Sequence, residues 1–319
     1  MTSDSADGTE WQTYWLGRRE AGDEQVYELP GVESDLELGT FWEDRISGVS
    51  ADARVLELAC GAGGVIQHAY RMGYRNLTGL DISDAAIDIL KGRFPEVQGV
   101  VSSVETAPLE PESFDLIVSQ FGFEYAGPHE SAPKVASLLA PGGRFTAIVH
   151  MNEGAIAEEC RTALQACEAF SATGFIPASM RVFRAQHAAE RSSLPDVQEE
   201  LKAALAGLNA PRAAIDKLSK TGHALATHTL TGTMLMFQRR QYYTLEDMLD
   251  WLQKVHDENL AHADRMQGML ACALTAQDVR AALTRLADEG LKTFPIQAMM
   301  QGDPVKSVAW IFDAIKPES

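Results

Sequence analysis

Between Val55 and Gly64 the chain reads Val-Leu-Glu-Leu-Ala-Cys-Gly-Ala-Gly-Gly: an apolar run, one acid near its end, then a turn of alanines and glycines. Such small side chains leave backbone open to a ligand, and glycine tolerates the positive φ that a tight strand-to-helix turn requires. The segment predicts a buried strand that delivers the chain into a cofactor-binding turn. Charge bears on which cofactor. A dinucleotide turn offers a helix N-terminus to a pyrophosphate, and a carboxylate at the strand end repels that group. Glu57 therefore argues against a dinucleotide. Spacing agrees, because a G-x-G-x-x-G frame started at Gly61 ends on Ile66 and one started at Ala59 lacks its first glycine. An acid two residues before the turn suits a ligand with an ammonium group, such as the methionine end of S-adenosylmethionine.

A second apolar run, Asn76-Leu77-Thr78-Gly79-Leu80-Asp81-Ile82-Ser83, ends in Asp81. An acid at the end of the second strand of a βαβ unit accepts hydrogen bonds from ribose hydroxyls, so Asp81 supports an adenosine ligand without naming it. Ser83 and Asp84 offer an N-cap to a helix over residues 85–91, where Ile87 and Leu90 repeat at helical spacing. Two further buried strands follow from the runs at Ser113–Phe121 and, after the Leu139-Ala140-Pro141-Gly142-Gly143 turn, at Arg144–His150.

Taken in order, these blocks resemble the class I S-adenosylmethionine-dependent methyltransferases over about Val55 to His150. The resemblance implies an α/β, Rossmann-like seven-stranded sheet with S-adenosyl-L-methionine as cofactor. It also implies roles residue by residue. Glu57, Ala59, Gly61 and Gly63 match the loop that holds the methionine moiety, Asp81 the ribose ligand, and Ile82 the apolar residue against adenine. Ser103-Val104-Glu105 falls where the family often has Asp-Ala-Glu, so a Ser103 hydroxyl stands where an acid meets the adenine amino group, and Val104 acts through its amide. Ala59 replaces a usual glycine. Gln120 matches the position that lines the sulfonium and the acceptor.

The formal charge of −18 works against a phosphate backbone, and the paired basics Arg18-Arg19 and Arg239-Arg240 are too sparse to track a strand. The expected acceptor is accordingly a small molecule and not nucleic acid. Cys60, Cys160, Cys167 and Cys272 form no C-x-x-C pair and show no zinc spacing with histidine, so reduced thiols and no metal are expected. The acidic start of the chain lacks the apolar core of a signal peptide, and no apolar run approaches the roughly 18 residues of a membrane span. A cytoplasmic protein without membrane attachment is expected.

Four segments organise the chain: a helical cap over 1–50, the cofactor-binding core over 51–150, a helical insertion over 151–290 between the fifth and sixth strands, and a β-hairpin over 291–319 completing the sheet. Residues up to about Gly8 read as disordered. Trp11, Tyr14 and Trp15 then recur at helical spacing, packing on the core or, for Tyr14 and Trp15, covering the cofactor. Phe41 and Trp42 start a second helix with the same two readings. Beyond His150, helices are expected at 155–172, 201–208, 213–225 and 245–260, with capping-box spacing at Thr244 to Asp247 and Thr275 to Asp278. They form a lid that selects the acceptor, an interface for a homodimer, or both. Ile296–Gln301 and Val308–Phe312 read as strands around a Gly302-Asp303-Pro304 turn.

Methyl transfer from a sulfonium is a direct displacement in which orientation carries most of the catalysis. Where the acceptor must lose a proton, His150 at the end of the fifth strand is the base, or else a locally bonded strand terminus. Glu124, Tyr125 and His129 follow the fourth strand as acceptor-site residues or as solvated loop, with Glu124 the acid that would hold a cationic acceptor. Two other functions remain open: a nicotinamide-dependent oxidoreductase, and a non-catalytic S-adenosylmethionine-binding partner protein.

Overall fold

The computed structural model describes residues 11, 12, 14–16, 35–301 and 305–318. The expected disorder before Gly8 and the Gly302-Asp303-Pro304 turn lie outside these residues. Two compact units emerge, Met1–Ala157 with Cys272–Ser319, and Glu158–Ala271.

In the first unit, α1 (Asp35–Ser47) leads into β1 (Val55–Leu58), α2 (Ile66–Arg71), β2 (Leu77–Asp81), α3 (Asp84–Arg93), β3 (Gln98–Val101), β4 (Phe114–Gln120), α4 (Pro128–Leu138) and β5 (Leu139–His150). The first five strands are parallel in the order β3, β2, β1, β4, β5. All four residues of β1 and all five of β2 are buried, as continuous apolar strands covered on both faces must be. The order reverses between β1 and β4, and an open sheet of this kind leaves a ligand crevice at that reversal, beyond the carboxyl ends of the strands. Ser83 caps α3 by accepting from the Ala86 amide, as its place before the apolar periodicity predicts.

The chain returns to the sheet in β6 (Lys292–Thr293), β7 (Gln297–Gln301) and β8 (Lys306–Ile315). β8 runs antiparallel to β5, pairing Arg144 with Ile315 and His150 with Ala309, and both β6 and β7 pair with β8. The α/β Rossmann-like class is as expected. Among the described residues the sheet has eight strands where seven were expected, because the two-residue β6 takes the end of β8 that β7 leaves open.

The segment expected as insertion over 151–290 divides. A helix at Ala276–Asp288 buries Val279, Ala282, Leu283 and Leu286 in one core with Phe123, Phe145 and Phe312, so it belongs to the sheet's unit. Its capping box at Thr275 and Asp278 is formed on both sides. The second unit comprises α5 (Ala155–Ala172), which starts in the first unit, then α6 (Phe175–Ala189), α7 (Pro195–Lys220), α8 (Ala224–Gln238) and α9 (Leu245–Cys272), which ends in the first. Its own core gathers Phe170, Phe175, Phe183, Ile215, Met248 and Leu252. The helices expected at 201–208 and 213–225 are in fact α7 and the start of α8, because α7 runs through Pro211 and breaks only at the Thr221-Gly222 turn. One proline removes a single ladder bond, which packing of a long helix outweighs. Among the described residues no helix is long and apolar enough to cross a membrane.

Candidate active site

The turn after β1 holds Ala59 at φ +48° and Gly61 at φ +50°. The left-handed region disfavours any residue with a Cβ, so Ala59 carries strain of about 1–2 kcal/mol. Room for its methyl is made across the strand reversal: a Cβ on Gly122 would stand 2.5 Å from the Ala59 Cβ. Gly122 is thus a site residue that the sequence reading missed, and its only signal is a glycine two residues past β4. Gly61 meets a different neighbour. A Cβ there would lie 2.5 Å from Cζ2 of Trp15, so the indole rests on the turn itself. Gly61→Ala is expected to destabilise the fold by about 1–2 kcal/mol and lower the melting temperature by several degrees. It should also shift tryptophan emission as the Trp15 ring is pushed off. Unchanged melting and emission would show that the contact does not form.

The two acids of the site are both buried, and each is tied to backbone amides. Asp81 accepts from the Gly61 amide at 2.9 Å through one oxygen and from the Ser83 amide at 2.9 Å through the other. Glu57 accepts from Val65 at 3.0 Å and from Ile66 at 2.8 Å. The Glu57 carboxylate therefore bonds the first amides of α2. The reason is geometric: the turn closes back over the strand end and brings the first free N–H groups of α2 onto the acid. Burial pushes the Glu57 carboxyl up to about 7, against the pull of the two amides, with the Asp81 charge adding to the rise. Burial raises Asp81 in the same way. Burial opposes the ionisation of both acids, and a cation beside them would favour it.

Around this pair the other expected cofactor residues take distinct places. Ile82, next to Asp81, is 41% exposed, an apolar side chain left open to a flat ligand face. Ser103 is half-buried with its hydroxyl 2.9 Å from that of Thr106, and Val104 is buried. Glu105 accepts from the Ser131 hydroxyl at 2.9 Å and so serves α4. Gln120 accepts at 2.6 Å from the indole N–H of Trp42, which is fully buried on α1. Trp42 thus fixes the amide at the end of β4. In the N-terminal segment, Trp11, Gln12 and Tyr14 to Leu16 are helical; Gln12 accepts from the Ser83 hydroxyl at 2.7 Å and bonds to Asp84, while Tyr14 packs edge-on against Trp15 at 5.0 Å. Gln12 was not foreseen, since a lone amide beside an aromatic carries no sequence signal.

At the neighbouring strand ends Glu124 and His150 meet. One Glu124 oxygen accepts from the His150 backbone amide at 2.9 Å and lies 2.5 Å from ring Nδ1. Both residues are buried. Phe121, held at φ +53°, lies over the imidazole with ring centres 4.6 Å apart, and Tyr125 meets it edge-on at 6.3 Å while its other side contacts Trp11 at 4.9 Å. His129 is not part of this group: it is exposed in the first turn of α4, 3.9 Å from Glu130.

Residues 55–143 match the family described as a methyltransferase domain. Over these residues the chain is similar to a methyltransferase domain, in line with its resemblance to the class I S-adenosylmethionine-dependent methyltransferases. An uncharacterised methyltransferase of Schizosaccharomyces pombe is 25% identical over 154 residues, 48% of this chain and 61% of that protein. The ubiquinone/menaquinone biosynthesis C-methyltransferase of Campylobacter jejuni is 27% identical over 99 residues, 29% of this chain and 42% of that protein. The chain thus spans about half of the lengths of these relatives. Among solved structures, geranyl diphosphate C-methyltransferase from Streptomyces coelicolor, in complex with Mg2+, geranyl diphosphate and S-adenosyl-L-homocysteine, aligns at 17% identity and a TM-score of 0.39, covering 47% of this chain and 67% of that one. The family match spans residues 55–143, so His150, Gln12 and Trp15 lie outside it, and their placement comes from the fold alone.

Proposed function

We propose that the domain transfers a methyl group from S-adenosylmethionine to a small-molecule acceptor, with His150 as base and Glu124 as the residue that positions it. The reading rests on one observation: the hydrogen bond from the Gly61 amide to Asp81 joins the glycine turn and the acid after β2 into a single site at the strand reversal. The pocket suits the cofactor's chemistry. Two buried acids favour a positive charge, and exposed Ile82 offers an apolar face to a base.

When bound, the cofactor's sulfonium supplies the electrophilic methyl. The protein's part is to hold the acceptor in line and to take its proton. Fixing the geometry of a bimolecular step is worth about 7–11 kcal/mol in favourable systems. Glu124, facing Nδ1, favours the tautomer with the proton on that nitrogen and leaves Nε2 with a lone pair. Phe121, tilted 32° against the imidazole, limits its rotation. The strained φ of Phe121 is consistent with a backbone held for function. The −18 charge favours a neutral or cationic small acceptor over a polyanion.

The test is calorimetric titration of the full chain with S-adenosylhomocysteine and, separately, with NAD. Tight binding of the former and none of the latter is expected, and the reverse would make the protein a nicotinamide enzyme. Asp81→Ala should weaken S-adenosylhomocysteine at least about tenfold, the scale of one lost charge-assisted bond. It should also cost about 1–3 kcal/mol of stability, because the Gly61 and Ser83 amides lose their buried acceptor. Unchanged affinity in a folded variant removes Asp81 from the cofactor site.

A further inference from the structure

We propose that Glu124, His150 and Cys272 form a binding site for one thiophilic divalent cation of the zinc type. Each side chain offers one ligand atom, a carboxylate oxygen, an imidazole nitrogen and a thiol sulfur, and the three atoms lie within 4.8 Å of one another. Ligands of a tetrahedral zinc sit about 3.3–3.8 Å apart, given bond lengths of about 2.0 Å to N or O and about 2.3 Å to S. Opening the 2.5 Å Glu124–His150 contact and drawing the Cys272 sulfur inward, each by about 1 Å, completes three corners of a tetrahedron, with the fourth left to water or substrate.

A second observation points to a ligand. The Glu124 side chain is 0% exposed, and its Oε2 is buried with no hydrogen-bond partner. A buried carboxylate with an unmet oxygen is costly, and a cation beside it removes the cost. The scaffold also holds the three donors together. Glu124 follows β4, His150 ends β5, and Cys272 ends α9. The Leu274 amide then donates to the His150 carbonyl at 2.9 Å, and the Trp310 indole N–H donates to the Leu274 carbonyl at 2.9 Å. Half-buried Cys272 provides the way in from solvent. Sulfur and imidazole select a borderline ion such as zinc over magnesium or calcium. No sequence motif signals this site, because the three ligands come from positions 124, 150 and 272 with no local spacing.

On binding, the Cys272 thiol proton goes to solvent, the imidazole proton passes from Nδ1 to Nε2, and the metal takes one lone pair each from the thiolate, Nδ1 and the Glu124 carboxylate. Coordination and proton acceptance then compete for the imidazole, so an occupied site withholds His150 from base catalysis. Metal binding itself does not depend on the methyl-transfer reading and is measured without turnover.

Cobalt(II) titration of the full chain, stripped with chelator, tests the site. A stoichiometric, saturable spectrum with a thiolate-to-cobalt charge-transfer band and intense visible bands of a four-coordinate ion is expected, abolished by equimolar zinc but not by excess magnesium. Cys272→Ser should remove the charge-transfer band, which assigns the thiolate to Cys272 and not to the other three cysteines. Glu124→Gln should weaken cobalt at least about tenfold. Circular dichroism of each variant establishes that it is folded; should Glu124→Gln unfold, the Cys272→Ser result decides alone. Absence of a saturable one-to-one spectrum, or a charge-transfer band that survives Cys272→Ser, overturns the proposal.

Discussion

Replacing His150 with alanine is expected to slow methyl transfer by about 10²- to 10⁴-fold, the usual contribution of a positioned general base, while S-adenosylhomocysteine still binds. The geometry makes the expectation specific. Glu124 spends one oxygen on both the amide and the ring of His150, so the imidazole is oriented by an acid that cannot move without breaking a backbone bond. His150→Gln separates chemistry from folding, since glutamine keeps a partner for Glu124 and has no basic ring. Both variants should lose kcat while S-adenosylhomocysteine affinity is kept. A folded His150→Gln enzyme with wild-type turnover would leave orientation as the sole source of catalysis. The measurement is made on metal-free protein, so that coordination of the imidazole does not mask the effect.

Stability should fall as pH rises from about 4.5 to about 7, by roughly 3 kcal/mol from Glu57 alone. The folded protein binds the Glu57 proton up to about 7, whereas the ordinary value is 4.5. Below 4.5 both states carry the proton and the full stability is present. Between the two values the unfolded chain has released it and the folded one has not, which costs about 1.4 kcal/mol per pH unit; above 7 the curve flattens. Asp81, raised in the same direction, adds to the decline at its acid end. Acids held low by salt bridges, such as Asp115 beside Arg54, oppose it. The measurement is therefore a difference: urea unfolding of wild type against Glu57→Gln from pH 4 to 8. The variant should gain on wild type across the window, and parallel curves would contradict the raised ionisation. A cationic ligand acts in the opposite sense by favouring the charged acids. Binding of S-adenosylhomocysteine near pH 6 is then expected to release protons, visible as a dependence of the calorimetric heat on buffer ionisation enthalpy.

The positions of β1, β2, β4, β5, β7 and β8 were legible because each is an apolar run bounded by turn residues. β3 and β6 were not. Gln98–Val101 lies at the sheet edge with exposed ends, and Lys292–Thr293 is too short for any pattern. Helix boundaries failed where local rules lost to packing, as at Pro211, or where a helix joined a different core from its neighbours, as at Ala276–Asp288. Glu57 shows the limit of charge reasoning at a site. Its charge alone points to an ammonium group, and the fold adds bonds from its oxygens to the amides of Val65 and Ile66.

By itself the sequence determined the strand, the small-residue turn and the acid after the second strand, because these follow from local periodicity, φ tolerance and spacing along one chain. Only the tertiary structure decided that Gly122 makes room for Ala59, that Trp15 rests on Gly61, that Trp42 fixes Gln120, and that Glu124, His150 and Cys272 converge. Those contacts join residues far apart in the chain, and no local propensity encodes a distance that chain folding alone creates.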